Sequence, residues 1–149
     1  MNKTNFEKKV IVVSGGFDPI HVGHGRMILE AAKFGEVIII ANSDAWLKRK
    51  KGYVFMPWEE RAEILSSIKG VSCVVQAKDD DETVCESLEH LKESINLDYF
   101  ANGGDRKQNN TPEMKACSAL GIEMIWNCGG DKIQSSSELV ERQKMLVNQ

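Results

Sequence analysis

Gly15-Gly16-Phe17-Asp18-Pro19-Ile20-His21-Val22-Gly23-His24 follows directly on the apolar run Val10-Ile11-Val12-Val13. A β-branched strand that empties into paired glycines and then a helix is the opening of an α/β unit. Such a junction gathers backbone N–H groups and the positive end of a helix at one point, which suits a polyphosphate. His21 and His24 stand three residues apart on the opening turn of the expected helix. That spacing puts both imidazoles on one face, where they can grip the same anionic group. A glycine loop alone is a weak signal; two histidines around Gly23, behind Gly-Gly-Phe-Asp-Pro, are a much narrower one.

Outward from this stretch, apolar runs of strand length recur at 10–13, 37–41, 71–75, 99–101 and 122–126, with helical periodicity between them. Short, β-branched, mostly apolar strands alternating with helices predict an α/β, Rossmann-like fold: a five-stranded parallel sheet, covered by helices on both faces and joined by right-handed crossovers. Met27, Ile28, Ala31 and Ala32 form the stripe of the first helix, with Gly35 as its C′ stop. A helix from near Pro57 carries Ala62, Ile64, Leu65 and Ile68 and ends at Gly70. Val84, Leu88 and Leu91 mark a third, rising from the acidic run 79–82, where negative charge favours a helix N-terminus. Thr111 reads as an N-cap with Pro112 in the first helical position and Gly121 closing that helix, and 135–138 reads as a capping box.

The chain has 149 residues, 42% hydrophobic and 28% charged, which suits a single domain over 1–149. A net charge of −3 argues against a whole-surface polyanion binder, so neither nucleic acid nor a membrane is expected as the main partner. Cys73, Cys85, Cys117 and Cys128 form no C-x-x-C pair and have no histidine at metal-binding spacing. They read as reduced apolar fillers, and no protein metal-ligand set is expected. Residues 1–9 are polar and charged, unlike a signal peptide or anchor, so the expected compartment is the cytoplasm.

The unusual residues fall at the carboxyl ends of the expected strands, the edge on which open α/β sheets bind ligands. Asn42-Ser43-Asp44 closes the second strand, and Lys48-Arg49-Lys50-Lys51-Gly52 reads as a cationic loop behind it. Such a run is either a solvated face or a holder for the pyrophosphate end of a triphosphate. Arg61, in the first turns of the helix after that run, reads from its neighbours as a surface arginine pairing with Glu59 or Glu60. Asn102-Gly103-Gly104-Asp105-Arg106 ends the fourth strand, and its glycines allow backbone to approach a ligand closely. Asp105 stands between holding magnesium, bonding a hydroxyl and capping a turn. Ser135, Ser136 and Ser137 open the last helix after Gly129-Gly130-Asp131-Lys132, offering hydroxyls and N–H groups to a phosphate.

The His21-Val22-Gly23-His24 string resembles the HxGH signature of the cytidylyltransferase-like nucleotidyltransferase superfamily, and the serine run resembles the ISST-type motif near its carboxyl end. The similarity extends over about 10–142. Within the superfamily, residues 42–45, 48–52, Glu60-Arg61 and 103–105 look most like the adenylyltransferase domain of ADP-heptose synthase. Glycerol-3-phosphate cytidylyltransferase comes next, but Gly130 stands here at the place of its arginine.

The resemblance implies an enzyme that moves AMP or CMP from a Mg2+-bound ATP or CTP to a small phosphorylated acceptor, such as a sugar 1-phosphate, and releases pyrophosphate. It gives His21, His24, Lys50 and Lys51 catalytic roles. Nucleotide binding falls to Gly15, Gly16, Phe17, Asp18, Gly23, Lys48, Arg61, Gly103, Gly104, Asp105, Ser135, Ser136 and Ser137. It also implies a homodimer. Readings from other classes are a non-catalytic nucleotide-binding module and an RNA-binding protein with 48–51 as its footprint.

Overall fold

Short runs of Val and Ile with little polar interruption can be buried only if both faces of the sheet are covered, and that is how they are used. The computed structural model describes residues 8–81, 83–103, 112–129 and 136–147. Its elements, in order, are β1 (Val10–Gly15), α1 (Val22–Ala31), β2 (Glu36–Ala41), α2 (Asp44–Lys51), α3 (Trp58–Ser66) and β3 (Val71–Gln76). There follow α4 (Cys85–Ser94), β4 (Tyr99–Gly103), α5 (Glu113–Leu120), β5 (Glu123–Cys128) and α6 (Ser136–Val147). The strands form one parallel sheet in the order β3-β2-β1-β4-β5. All five expected strands are present, and the Rossmann-like α/β architecture is as the alternation predicted.

The period of two along each strand divides the core. Val10, Val12, Ile38, Ile40 and Phe100 face α4 and α5, packing with Val84, Leu88, Leu91 and Cys117. Ile11, Val13, Val37, Ile39 and Ala41 face the other way, with Ile28 and Ala31 of α1 and Leu65 of α3. The chain builds outward from β1 through β2 to β3, then returns to β1's other side for β4. That reversal opens a crevice above the carboxyl ends of β1 and β4, the topological switch point.

Three local expectations are corrected. The cationic run 48–51 is the last turn of α2 and not a loop. Ser43 caps this helix by accepting from the Trp46 N–H, Asp44 sits in its first turn, and Gly52 ends it at φ 86°. Four cations on the negative end of a helix are in their favoured place. Gly35 is not a left-handed stop, because α1 ends at Ala31 with Ala32 as its C-cap; it is needed because a side chain there would run into the Lys9 carbonyl. On α3 the buried residues are Leu65 and Arg61, while Ile64 is 41% exposed.

Asp79 of the acidic run is buried and accepts from the N–H groups of Glu86 and Ser87, fastening the start of α4. The expected Gly121 stop is present, at φ 74°. Thr111 and Ser135, proposed as caps, lie outside the described residues.

The four cysteines are free thiols. Burial, with Glu113 and Cys85 nearby, pushes the Cys117 thiol up to about 12, and burial, with Glu30 nearby, pushes Cys128 up to about 11. Both stay protonated near neutral pH and act as small apolar groups. Among the described residues no helix is long and apolar enough to cross a membrane.

Candidate active site

Between β1 and α1 the backbone makes a tight descent in which the left-handed residue is Phe17, at φ 54°, and not a glycine. The glycines serve close packing. A side chain on Gly16 would come to 3.1 Å from Leu47 of α2, so the missing side chain lets α2 lie against this loop. Phe17 is buried and meets the His24 ring edge-on, with centroids 4.9 Å apart.

His21 is the N-cap of α1. Its Nδ1 accepts from the Gly23 N–H at 3.0 Å, and the Nδ1 of His24 accepts from the His21 N–H at 3.2 Å, a capping box built from two histidines. The rings stack with centroids 3.8 Å apart and planes 24° from parallel. Because both Nδ1 atoms accept backbone protons, each neutral ring carries its proton on Nε2, which fixes the tautomer of both. Each ring of the stacked pair thus carries its N–H donor on Nε2, a group that can bond a phosphate oxygen. Gly23 makes this possible: a Cβ there would lie 2.8 Å from His21 Cε1 and 3.0 Å from its Nδ1.

Asp18 is wholly buried, and its carboxylate accepts from the N–H groups of Phe55 at 2.7 Å and Met56 at 2.5 Å. It anchors the segment between α2 and α3 to the histidine loop. Asp18→Ala is expected to cost about 2–5 kcal/mol, since the N–H groups of Phe55 and Met56 both lose a charged acceptor. Urea unfolding of the variant measures this, and an unchanged midpoint would show that those amides find other partners.

Arg61, also wholly buried, donates to the carbonyls of Met56, Gly16 and Asn42 at 2.9, 2.7 and 2.8 Å and to Asp44 Oδ1 at 2.7 Å. It thus meets neither Glu59 nor Glu60 among its hydrogen-bond partners; they are three carbonyls and a distant carboxylate.

The remaining sequence candidates distribute around the crevice. Gly15 ends β1 and Gly103 ends β4. On α2, Leu47 abuts Gly16, and Lys50 and Lys51, three and four residues on, share Leu47's side of the helix. Lys48 is about 100° around from it, and Arg49, farther still, pairs with Asp80 at 3.8 Å. Ser136 is buried and donates its hydroxyl proton to the Pro19 carbonyl at 2.7 Å, which brings the start of α6 to the histidine loop. Gly104, Asp105 and Ser135, and the side chain of Ser137, lie outside the described residues. Asn102, which the sequence reading passed over in favour of the glycines beside it, is buried at the end of β4, and its Nδ2 has no partner among the described residues.

A family model for cytidylyltransferase-like proteins matches residues 12–143, from β1 into α6. The chain belongs to the cytidylyltransferase-like family. Its class of chemistry is therefore nucleotidyl transfer. The relatives include the bifunctional protein HldE of Enterobacter sp. (strain 638), 35% identical over 127 residues, which are 83% of this chain and 24% of that protein. HldE of Yersinia pestis (strain Pestoides F) is 32% identical over the same length and shares. The chain thus spans about a quarter of the length of the curated relatives it matches. Among solved structures, the lipopolysaccharide core biosynthesis protein from Thermoplasma volcanium GSS1 superposes with a TM-score of 0.62 at 22% identity, covering 79% of this chain and 93% of that one, a likeness of fold.

Within this cytidylyltransferase-like chain, the match embraces every described part of the crevice: the histidine box, α2, Arg61, the end of β4 and the start of α6. The likeness to the adenylyltransferase domain of ADP-heptose synthase, drawn from the sequence, agrees with these relatives.

Proposed function

We propose that the chain transfers a nucleoside monophosphate, AMP or CMP, from a magnesium-bound triphosphate to a small phosphorylated acceptor, a sugar 1-phosphate, releasing pyrophosphate. The observation that carries this reading is the stacked histidine pair, with both tautomers fixed, at the switch point of the sheet. A phosphate acceptor is already anionic near neutral pH. The protein therefore needs no strong base; it aligns an in-line attack and offsets charge. One oxygen of the acceptor phosphate attacks the α-phosphorus as the bond to the bridging oxygen breaks, and pyrophosphate carries away the electron pair. The Nε2 donors of His21 and His24 stabilise charge on the α-phosphate oxygens, and Lys50 and Lys51 hold the leaving pyrophosphate. Adenine and a sugar 1-phosphate are preferred on the resemblance of residues 42–52, 60–61 and 103–105 to the adenylyltransferase domain of ADP-heptose synthase.

Magnesium enters this reading as part of the triphosphate. The carboxylates beside the histidine loop do not fit as its ligands: Asp18 is taken up by two backbone N–H groups and Asp44 by Arg61. With the Ser136 proton held by Pro19, the part of the serine run in phosphate binding falls to Ser135, Ser137 and the first N–H groups of α6.

Pyrophosphate release with magnesium and each of ATP, CTP, GTP and UTP, against phosphorylated sugars, polyols and amino alcohols, tests the reading. Release with one nucleotide and one acceptor is expected. Triphosphate binding without release across the panel would favour a non-catalytic module. The helical positions of the lysines give a second expectation: Lys51→Ala lowers triphosphate affinity by about tenfold or more, and Lys48→Ala by less. Titration calorimetry with the triphosphate measures both, and equal losses would show that the run acts as diffuse charge.

A further inference from the structure

We propose that Arg61 is a positioning residue for the transfer, acting through Asp44 and the Gly16 carbonyl, and not a phosphate ligand. The proposal rests, for its kinetic consequence, on the reading of the chain as a nucleotidyltransferase.

Guanidinium has five N–H groups in a fixed planar fork. Four of Arg61's bonds go to groups of the protein, and the side chain has no exposed surface. A ligand phosphate would have to displace one of these three carbonyls or Asp44 from the fork, at about 1–3 kcal/mol for each buried group left unpaired. The partners also come from four different places. Gly16 leads into the histidine box, Asn42 follows β2, Asp44 opens α2, and Met56 belongs to the segment that Asp18 holds. A single side chain thus sets the loop after β1 and the start of α2 in register with each other. Leu47 lies on Gly16 within that clamp, and Lys50 and Lys51 share its side of α2. Letting go of Asp44 loosens the start of α2, whose ties farther along include Leu47 against Gly16 and the bond from Trp46 Nε1 to the Asp81 carbonyl.

Asp44 offers the test, since its side chain is 44% exposed and its substitution leaves every buried apolar side chain in place. If Arg61 works through Asp44, then Asp44→Ala and Arg61→Lys each lower turnover by about ten- to a hundredfold at a temperature where all variants are folded. The double variant is then no worse than Arg61→Lys alone. Asp44→Asn, which keeps an acceptor for Nη2, recovers most of the loss. Amide hydrogen exchange at Trp46 and Leu47 speeds up in Asp44→Ala and is restored in Asp44→Asn.

If Arg61 binds phosphate instead, the signs differ. Asp44→Ala leaves affinity for ATP and CTP unchanged or raises it, by removing a competing anion, while Arg61→Lys alone weakens it. That pattern, or strict additivity in the double variant, overturns the proposal. Should the wild-type protein prove silent with every triphosphate and acceptor, the transfer reading fails. The exchange rates and triphosphate affinities still decide how Arg61 acts.

Discussion

Pyrophosphate release by His24→Asn is expected to fall at least about a hundredfold, while the melting temperature stays within about 4 °C of wild type. The choice of asparagine follows from the capping box. Its carboxamide oxygen can take the place of Nδ1 and keep accepting from the His21 N–H, so the start of α1 survives. What asparagine cannot supply is a donor at the position of Nε2. Removing one donor aimed at developing charge commonly costs two to three orders of magnitude in turnover. His24→Ala is expected to lose as much turnover, with an added stability loss of about 1 kcal/mol from the missing cap interaction. Near-normal release by His24→Asn would mean the imidazole acts only as a cap, and the proposed mechanism would be wrong.

The second large effect concerns a residue with no side chain. Gly23→Ala is expected to lower turnover by about ten- to a hundredfold with little loss of stability, and melting curves beside pyrophosphate release would separate the two quantities. An alanine methyl would sit 2.8 Å from His21 Cε1, so the ring must swing off its stack with His24. A displacement of an ångström in a reacting group is enough for losses of this size. Alanine is meanwhile the better helix former by about 1 kcal/mol, which offsets the lost cap bond. Both readouts falling together would instead point to damage spread through α1.

These two predictions rest on residues that were visible in the sequence, because i, i+3 spacing is a local property and the histidines lie within one turn. The five strands were visible for a similar reason: β-branched runs bounded by glycine, asparagine and acidic residues have few alternatives. The start and stop of α2 were legible too, in Ser43 and Gly52, but the charge of 48–51 outweighed them in a reading that looked for a loop. Arg61 shows the other limit. Its spacing of four from Leu65 already put it on the buried face of α3. Its partners Gly16 and Asp44 lie 45 and 17 residues away, beyond any local pattern. Asp18 is alike, since the amides that it holds are 37 and 38 residues downstream. Sequence periodicity names which face a residue occupies; the fold decides whom it meets there.

The bond from Ser136 to Pro19 joins residues 117 positions apart. During synthesis the glycine loop and both histidines therefore leave the ribosome long before the serine that holds their backbone. A nascent chain that has completed β4 can already pair its central strands, yet its Pro19 carbonyl still faces solvent. In vectorial synthesis the Pro19 contact thus comes after those that Phe55, Met56 and Arg61 make with the same loop.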